Sequence, residues 1–132
     1  MTCRELFDAA VRAVAENGAE ACTQDYEERA TYLLATFLHE SAALDAIYRS
    51  ANGLGSGAEP PDGVCISLEK DFPLADAFAP AAVYYLSAML VLDENEEMSE
   101  RFFALYSDRL SSLRASLPAR KERIKDCYPD PA

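Results

Sequence analysis

The chain holds a single histidine, His39, followed directly by Glu40. A base beside an orienting carboxylate would be the start of acid–base or nucleophilic chemistry. Neighbours on a helix point about 100° apart, so these two do not face each other. The serines show no nucleophile-elbow pattern either. His39 therefore reads as a surface or hydrogen-bonded residue. Gly53-Leu54-Gly55-Ser56-Gly57 resembles a phosphate loop only in its glycines. No lysine follows it, and it comes after a helix rather than a strand, so it reads as a turn. Cys3, Cys22, Cys65 and Cys127 form no Cys-x-x-Cys pair and stand far from His39 in sequence, which argues against structural zinc. No Glu-x-x-His pair supports a di-metal bundle. Glu27-Glu28 and the acids at 93–97 lack the glycine and alternating spacing of a calcium loop, and read as solvated helix starts. No catalytic, cofactor-binding or metal-ligating residue is nominated. The expectation is a non-enzymatic protein with no cofactor.

The charge pattern narrows the class further. The 132 residues are half hydrophobic and 27% charged, an ordinary globular composition for one domain. The net charge of −11 disfavours specific nucleic-acid binding, because phosphate wants a basic face. Most acids lie before residue 114. From residue 114 on stand Arg114, Arg120, Lys121, Arg123 and Lys125 against Glu122, Asp126 and Asp130. An acidic body with a mildly basic tail suggests self-association through charge, and hence a homo-oligomer. The cysteines read as reduced thiols of a cytosolic protein. Arg4, Glu5 and Asp8 interrupt any apolar leader. The longest uncharged run, Ala77 to Leu92, is too short to span a membrane and contains Pro80, Tyr84 and Tyr85. A soluble, cytoplasmic chain without membrane contact is expected.

These residues are carried by a mainly α-helical framework. Thr2 with Glu5 fits a capping box, and Leu6, Phe7, Ala10, Val11 and Val14 make one helical stripe that Asn17-Gly18 ends. Asp25 with Glu28 repeats the capping spacing. Ala30, Leu34, Phe37, Ser41, Leu44 and Tyr48 then step by fours and threes. This predicts one long helix to about Ala51, stopped by Asn52-Gly53, with His39–Ser41 the place where it would break. Residues 52–63 read as a glycine-rich loop. Val64, Ile66 and Leu68 alternate with Cys65, Ser67 and Glu69, the periodicity of a short strand. A lone strand must pair with the loop before it as a hairpin, or with another chain. Pro80 opens a third helix, with Val83, Leu86, Ser87, Leu90 and Val91 on its face. The acids Asp93 to Glu97 suit the start of a fourth, which carries Met98, Phe102, Leu105, Tyr106, Leu110 and Leu113. The expected architecture is an all-α bundle of four to five helices over 1–117, with 118–132 as an arm or short helix.

Aromatic residues concentrate in 72–106. Adjacent pairs, Tyr84-Tyr85 and Phe102-Phe103, cannot both face one core from a narrow stripe. One member of each pair, Tyr85 or Phe103, is a candidate for contact with a partner chain. Val64, Ile66 and Leu68 join them as an edge for strand addition. Arg120, Lys121, Arg123 and Lys125 are the basic candidates for an interface.

Phe72-Pro73-Leu74, then Ala79 to Leu90, then Asp93-Glu94-Asn95-Glu96, then Ser99 to Tyr106 resembles the carboxy-terminal half of tailed-phage head–tail connector (adaptor) proteins. Those proteins show an LP lead-in, an Ala- and Tyr-rich helix, an acidic turn and a final helix with an F…Y stripe. The order of elements before residue 72 fits the same plan. The resemblance implies a non-enzymatic virion part, ringed beneath a portal around the DNA channel, with portal and tail proteins as neighbours. It implies a location in the host cytoplasm or in the virion. Acids away from the apolar stripes, Glu27, Glu28, Asp93, Glu94, Glu96 and Glu97, would then face the channel and repel phosphate. Read from the residues alone, two other classes stay open: an acidic inhibitor that mimics DNA, and a dimeric helical scaffold or regulator.

Overall fold

The computed structural model describes residues 1–18, 23–57, 59 and 62–117. Its helices are α1 (Cys3–Glu16), α2 (Thr23–Ala51), α3 (Ala79–Val91) and α4 (Glu96–Ala115). A 3-10 turn over Asp76–Phe78 leads into α3. The fold is an all-α bundle.

α3 is the middle of the bundle because it is apolar on every side, the signature of a helix with no face for water. Ala81, Ala82, Tyr85, Leu86, Ser87, Ala88, Leu90 and Val91 are buried along it. It packs against α1, α2 and α4. Pro80 sits in its first turn, where a missing amide breaks no bond. Its polar residue is satisfied internally: the Ser87 hydroxyl donates to the Val83 carbonyl at 2.8 Å. The buried Ser99 hydroxyl of α4 donates to the Ala88 carbonyl at 2.7 Å and locks the two helices in register.

The outer helices follow their caps. At the start of α1, Thr2 Oγ1 accepts the Glu5 amide at 3.3 Å, and Gly18 follows its end at φ +92°. A left-handed residue there lets the chain leave the helix at no steric cost. Leu6, Phe7, Ala10 and Val14 are buried as one stripe, while Val11 is half-buried. α2 runs unbroken for 29 residues, with no interruption at His39–Ser41. It begins two residues before Asp25, which lies in the first turn rather than at the cap. Gly53 at φ +68° follows its end. Asn95 Oδ1 caps α4 by accepting the Met98 amide at 3.0 Å, with Glu96 and Glu97 in the favourable first turn.

The expected strand is absent: no strand forms among the described residues, and Val64–Leu68 is an irregular connector. The alternation is real in burial, since Ile66 and Leu68 are buried while Cys65, Ser67 and Glu69 are exposed. Among the described residues its backbone forms no hairpin. The Ile66 amide donates to the Thr31 carbonyl of α2 at 3.0 Å. The Leu68 and Lys70 carbonyls accept the Arg4 and Cys3 amides at 2.8 and 2.9 Å, and the Phe72 amide donates to the Met1 carbonyl at 2.8 Å. An isolated antiparallel bridge joins Thr2 and Asp71. The segment thus bridges two helices and fills the free amides at the amino end of α1, a task an extended chain performs as well as a sheet does. The arm expected at 118–132, with Cys127, and the residue Cys22 lie outside the described residues.

Candidate interaction site

Two acidic segments meet at one end of the bundle. The Tyr26 hydroxyl, on a fully buried ring, donates to Glu94 Oε2 at 2.7 Å. This places the start of α2 against the α3–α4 turn. Burial and the neighbouring carboxylate hold the Tyr26 phenol above its ordinary range. Arg29 closes the same junction by donating to the Met89 and Leu90 carbonyls at 3.0 and 3.3 Å. A cation there answers the negative end of the α3 dipole. Asp25 lies 3.9 Å from that guanidinium.

Asp93, Glu94, Glu96 and Glu97 are exposed around this turn, with Glu97 3.7 Å from Arg101. Glu28 is exposed one turn along α2, and Glu27 is half-buried. Glu27 is already engaged: it meets Arg4 at 2.8 Å, and the same guanidinium meets Glu69 at 2.7 Å. Hydrogen bonds first to Glu27 and then to Glu69 raise the Arg4 pKa further above its ordinary value. The acids at 93–97 meet the start of α2 through Tyr26, whereas Glu27 and Glu28 line a groove with Arg4 and Glu69, and Glu27 serves as a strut between α1 and α2 rather than as a free charge.

The apolar candidates divide. Tyr85 is only 8% exposed and packs between Phe37 and Tyr106, with ring centroids 5.7 and 5.4 Å away. Its ring is part of the core and leaves little face for a partner. Phe103 is half-buried against that core. Ile66 and Leu68 are buried within the chain, so their side chains face the core rather than a partner. Val64 alone of that trio faces solvent. Arg120, Lys121, Arg123 and Lys125 lie outside the described residues.

The sequence reading passed over a polar clasp at the far end of α2. Asp45 Oδ2 lies 3.0 Å from Arg49 Nε, and Asp45 Oδ1 accepts the Ala75 amide at 2.8 Å. Arg49 also donates to the Gly55 and Pro73 carbonyls, both at 3.3 Å. An acid four residues before a base on one helix was the available signal. A cleft of ≈ 500 Å³ opens beside the clasp between α2 and residues 54–57. His39 Nε2 is 2.9 Å from the Gly63 carbonyl and pins the connector to α2.

Among the described residues, no cluster of three or more His, Cys, Asp or Glu side chains is placed to hold a metal ion. No helix among them is long and apolar enough to cross a membrane. The chain matches no protein-family model, and no curated protein or solved structure matches it.

Proposed function

We propose that this chain is a non-enzymatic phage or prophage structural protein of the head–tail connector type, assembling with copies of itself and with portal and tail proteins around a DNA channel. The residue pattern of 72–113 suggests the class. The observation that carries the reading is the junction held by Tyr26 and Glu94, which brings acids from two separate segments, Asp25 and those at 93–97, to one end of the helical bundle. A duplex passing such a surface meets repulsion, so it slides instead of being captured. The same acid density suits an inhibitor that imitates a phosphate array; competition with DNA for a DNA-binding enzyme separates that reading from the first.

The test is the genomic neighbourhood together with DNA binding. Flanking genes for portal, capsid or tail proteins, and no retention of duplex DNA at low salt, are the expected results. Tight, salt-sensitive duplex binding overturns the acidic-channel role. A neighbourhood without any virion gene overturns the class.

A further inference from the structure

The outer face of α2 carries an apolar patch that the described part of the chain leaves uncovered. Val64 and Tyr32, at 76% and 50% exposure, are the most exposed large hydrophobic side chains among the described residues. They belong to one surface because the connector runs along α2, tied from Gly63 to His39 and from Ile66 to Thr31. Beside Tyr32 lies an open groove of ≈ 570 Å³ lined by Arg4, Glu27, Glu28, Leu68 and Glu69. Arg4 is shared by Glu27 and Glu69, so the carboxylates outnumber the single guanidinium. Glu28 has no ion pair among the described residues. The face offers apolar contact rimmed by uncompensated negative charge, and its complement is a basic segment with an apolar residue in it.

The chain contains such a segment. Arg120, Lys121, Arg123 and Lys125 surround Ile124, with Glu122 the one acid among them. Its point of departure is set by α4, which starts beside the start of α2 at the Tyr26–Glu94 bond and runs the same way, Tyr106 meeting Phe37 part-way along. Twenty helical residues advance about 30 Å, so Leu117 lies near the opposite end from the acidic junction. We propose that residues 118–132 of one copy dock on the Tyr32–Val64–Glu28 face of a second copy. The docking is one-way, head-to-tail, between two separate surfaces of the molecule, the exit of α4 and the outer face of α2. Repeated, it generates rings or filaments rather than a two-fold dimer. This deepens the connector reading and rests on it for the closure of the ring.

Sedimentation velocity of the full chain over a concentration series tests it. The wild type forms species larger than a dimer, and these weaken as salt rises. A face variant, Tyr32→Ala with Glu28→Lys, and a tail variant, Lys121→Glu with Arg123→Glu, each weaken association by about tenfold or more. Unchanged far-UV circular dichroism and thermal midpoints confirm that both variants fold. Mixed one to one, the two variants form a heterodimer that grows no further, because one supplies only a tail and the other only a face. Either variant assembling like the wild type overturns the proposal, as does a mixture that stays monomeric. A strictly monomeric wild type also overturns it, while leaving the connector class to the gene-neighbourhood test.

Discussion

Asp45 on α2 accepts the Ala75 amide on the approach to α3, at 2.8 Å, and its other oxygen holds Arg49. This one carboxylate fixes where the connector ends and α3 begins. The Asp45 side chain is 8% exposed and that of Arg49 is 20% exposed, so neither charge is well served by water if its partner is lost. Removing one member of a buried pair is expensive because the other is left uncompensated. Asp45→Ala is therefore expected to cost about 3–5 kcal/mol in urea unfolding. Asp45→Asn keeps an acceptor for Ala75 and should cost clearly less. Equal losses for both would show that the Ala75 bond contributes nothing.

Gly57 tests the same clasp from the other side. A Cβ there would lie 2.8 Å from Arg49 Nε and 3.3 Å from Asp45 Oδ2, and would push the guanidinium off its carboxylate. Gly57→Ala should cost about 1–3 kcal/mol, the range for overpacking. Gly55 is the control: nothing lies within 4 Å of its added Cβ, and Gly55→Ala should leave the unfolding midpoint unchanged. Two equal effects would refute the close approach.

The core should respond to truncation on α2 and on α3 alike. Leu34 and Leu90 are both fully buried. Leu34→Ala and Leu90→Ala are each expected to lower stability by about 2–5 kcal/mol, set by how far the cavity collapses. Chemical denaturation with unchanged midpoints would refute the assigned faces.

Alkali should destabilise the fold. Burial, with the charge of Asp71 adding, pushes the Cys3 thiol up to about 11. Burial also raises the phenols of Tyr26, Tyr85 and Tyr106, helped by Glu94 in the first case and Glu40 in the other two. Each group keeps its proton in the folded state to a higher pH than in the unfolded chain. Above the unfolded pKa the unfolded state binds fewer protons, so stability falls as pH rises. The slope is about 1.4 kcal/mol per pH unit for each such group. Thermal midpoints should hold steady up to about pH 8 and drop beyond about pH 9, where the thiol of an unfolded chain ionises. Cys3→Ala should flatten the first part of that drop. A flat profile to pH 11 would refute the burial of these groups.

What could be read from the sequence was local. Thr2 with Glu5, Asn17-Gly18 and Asn52-Gly53 mark helix ends through groups a few residues apart, and the chain obeys them. The apolar steps from Ala30 to Tyr48 gave α2 its length because that helix presents one continuous inner face. The connector misled for an equally physical reason: Ile66 and Leu68 alternate inward as strand residues do, but they plug the gap between α1 and α2. The Tyr26–Glu94 bond joins residues 68 apart in sequence, and the Asp45–Ala75 bond residues 30 apart. No spacing rule announces such pairs, since only the packed helices bring them together. For the interaction site, the acids were visible as a composition. Which of them stay free was not, because Arg4 reaches Glu27 only after α1 has docked.

The sharing of α1's amino-terminal amides with the Leu68 and Lys70 carbonyls makes the start of α1 depend on a distant segment. The α3–α4 hairpin closes over a short turn and is expected to form early, since nearby contacts carry a small loop-closure entropy. The free amides at the start of α1 gain protein partners only when a segment some 65 residues downstream arrives. It is then stapled at once by backbone and by the Arg4–Glu69 pair. α1 thus depends on a distant segment for its amino-terminal contacts. Its amides and those of residues 66–72 should open to hydrogen exchange together, as one cooperative unit.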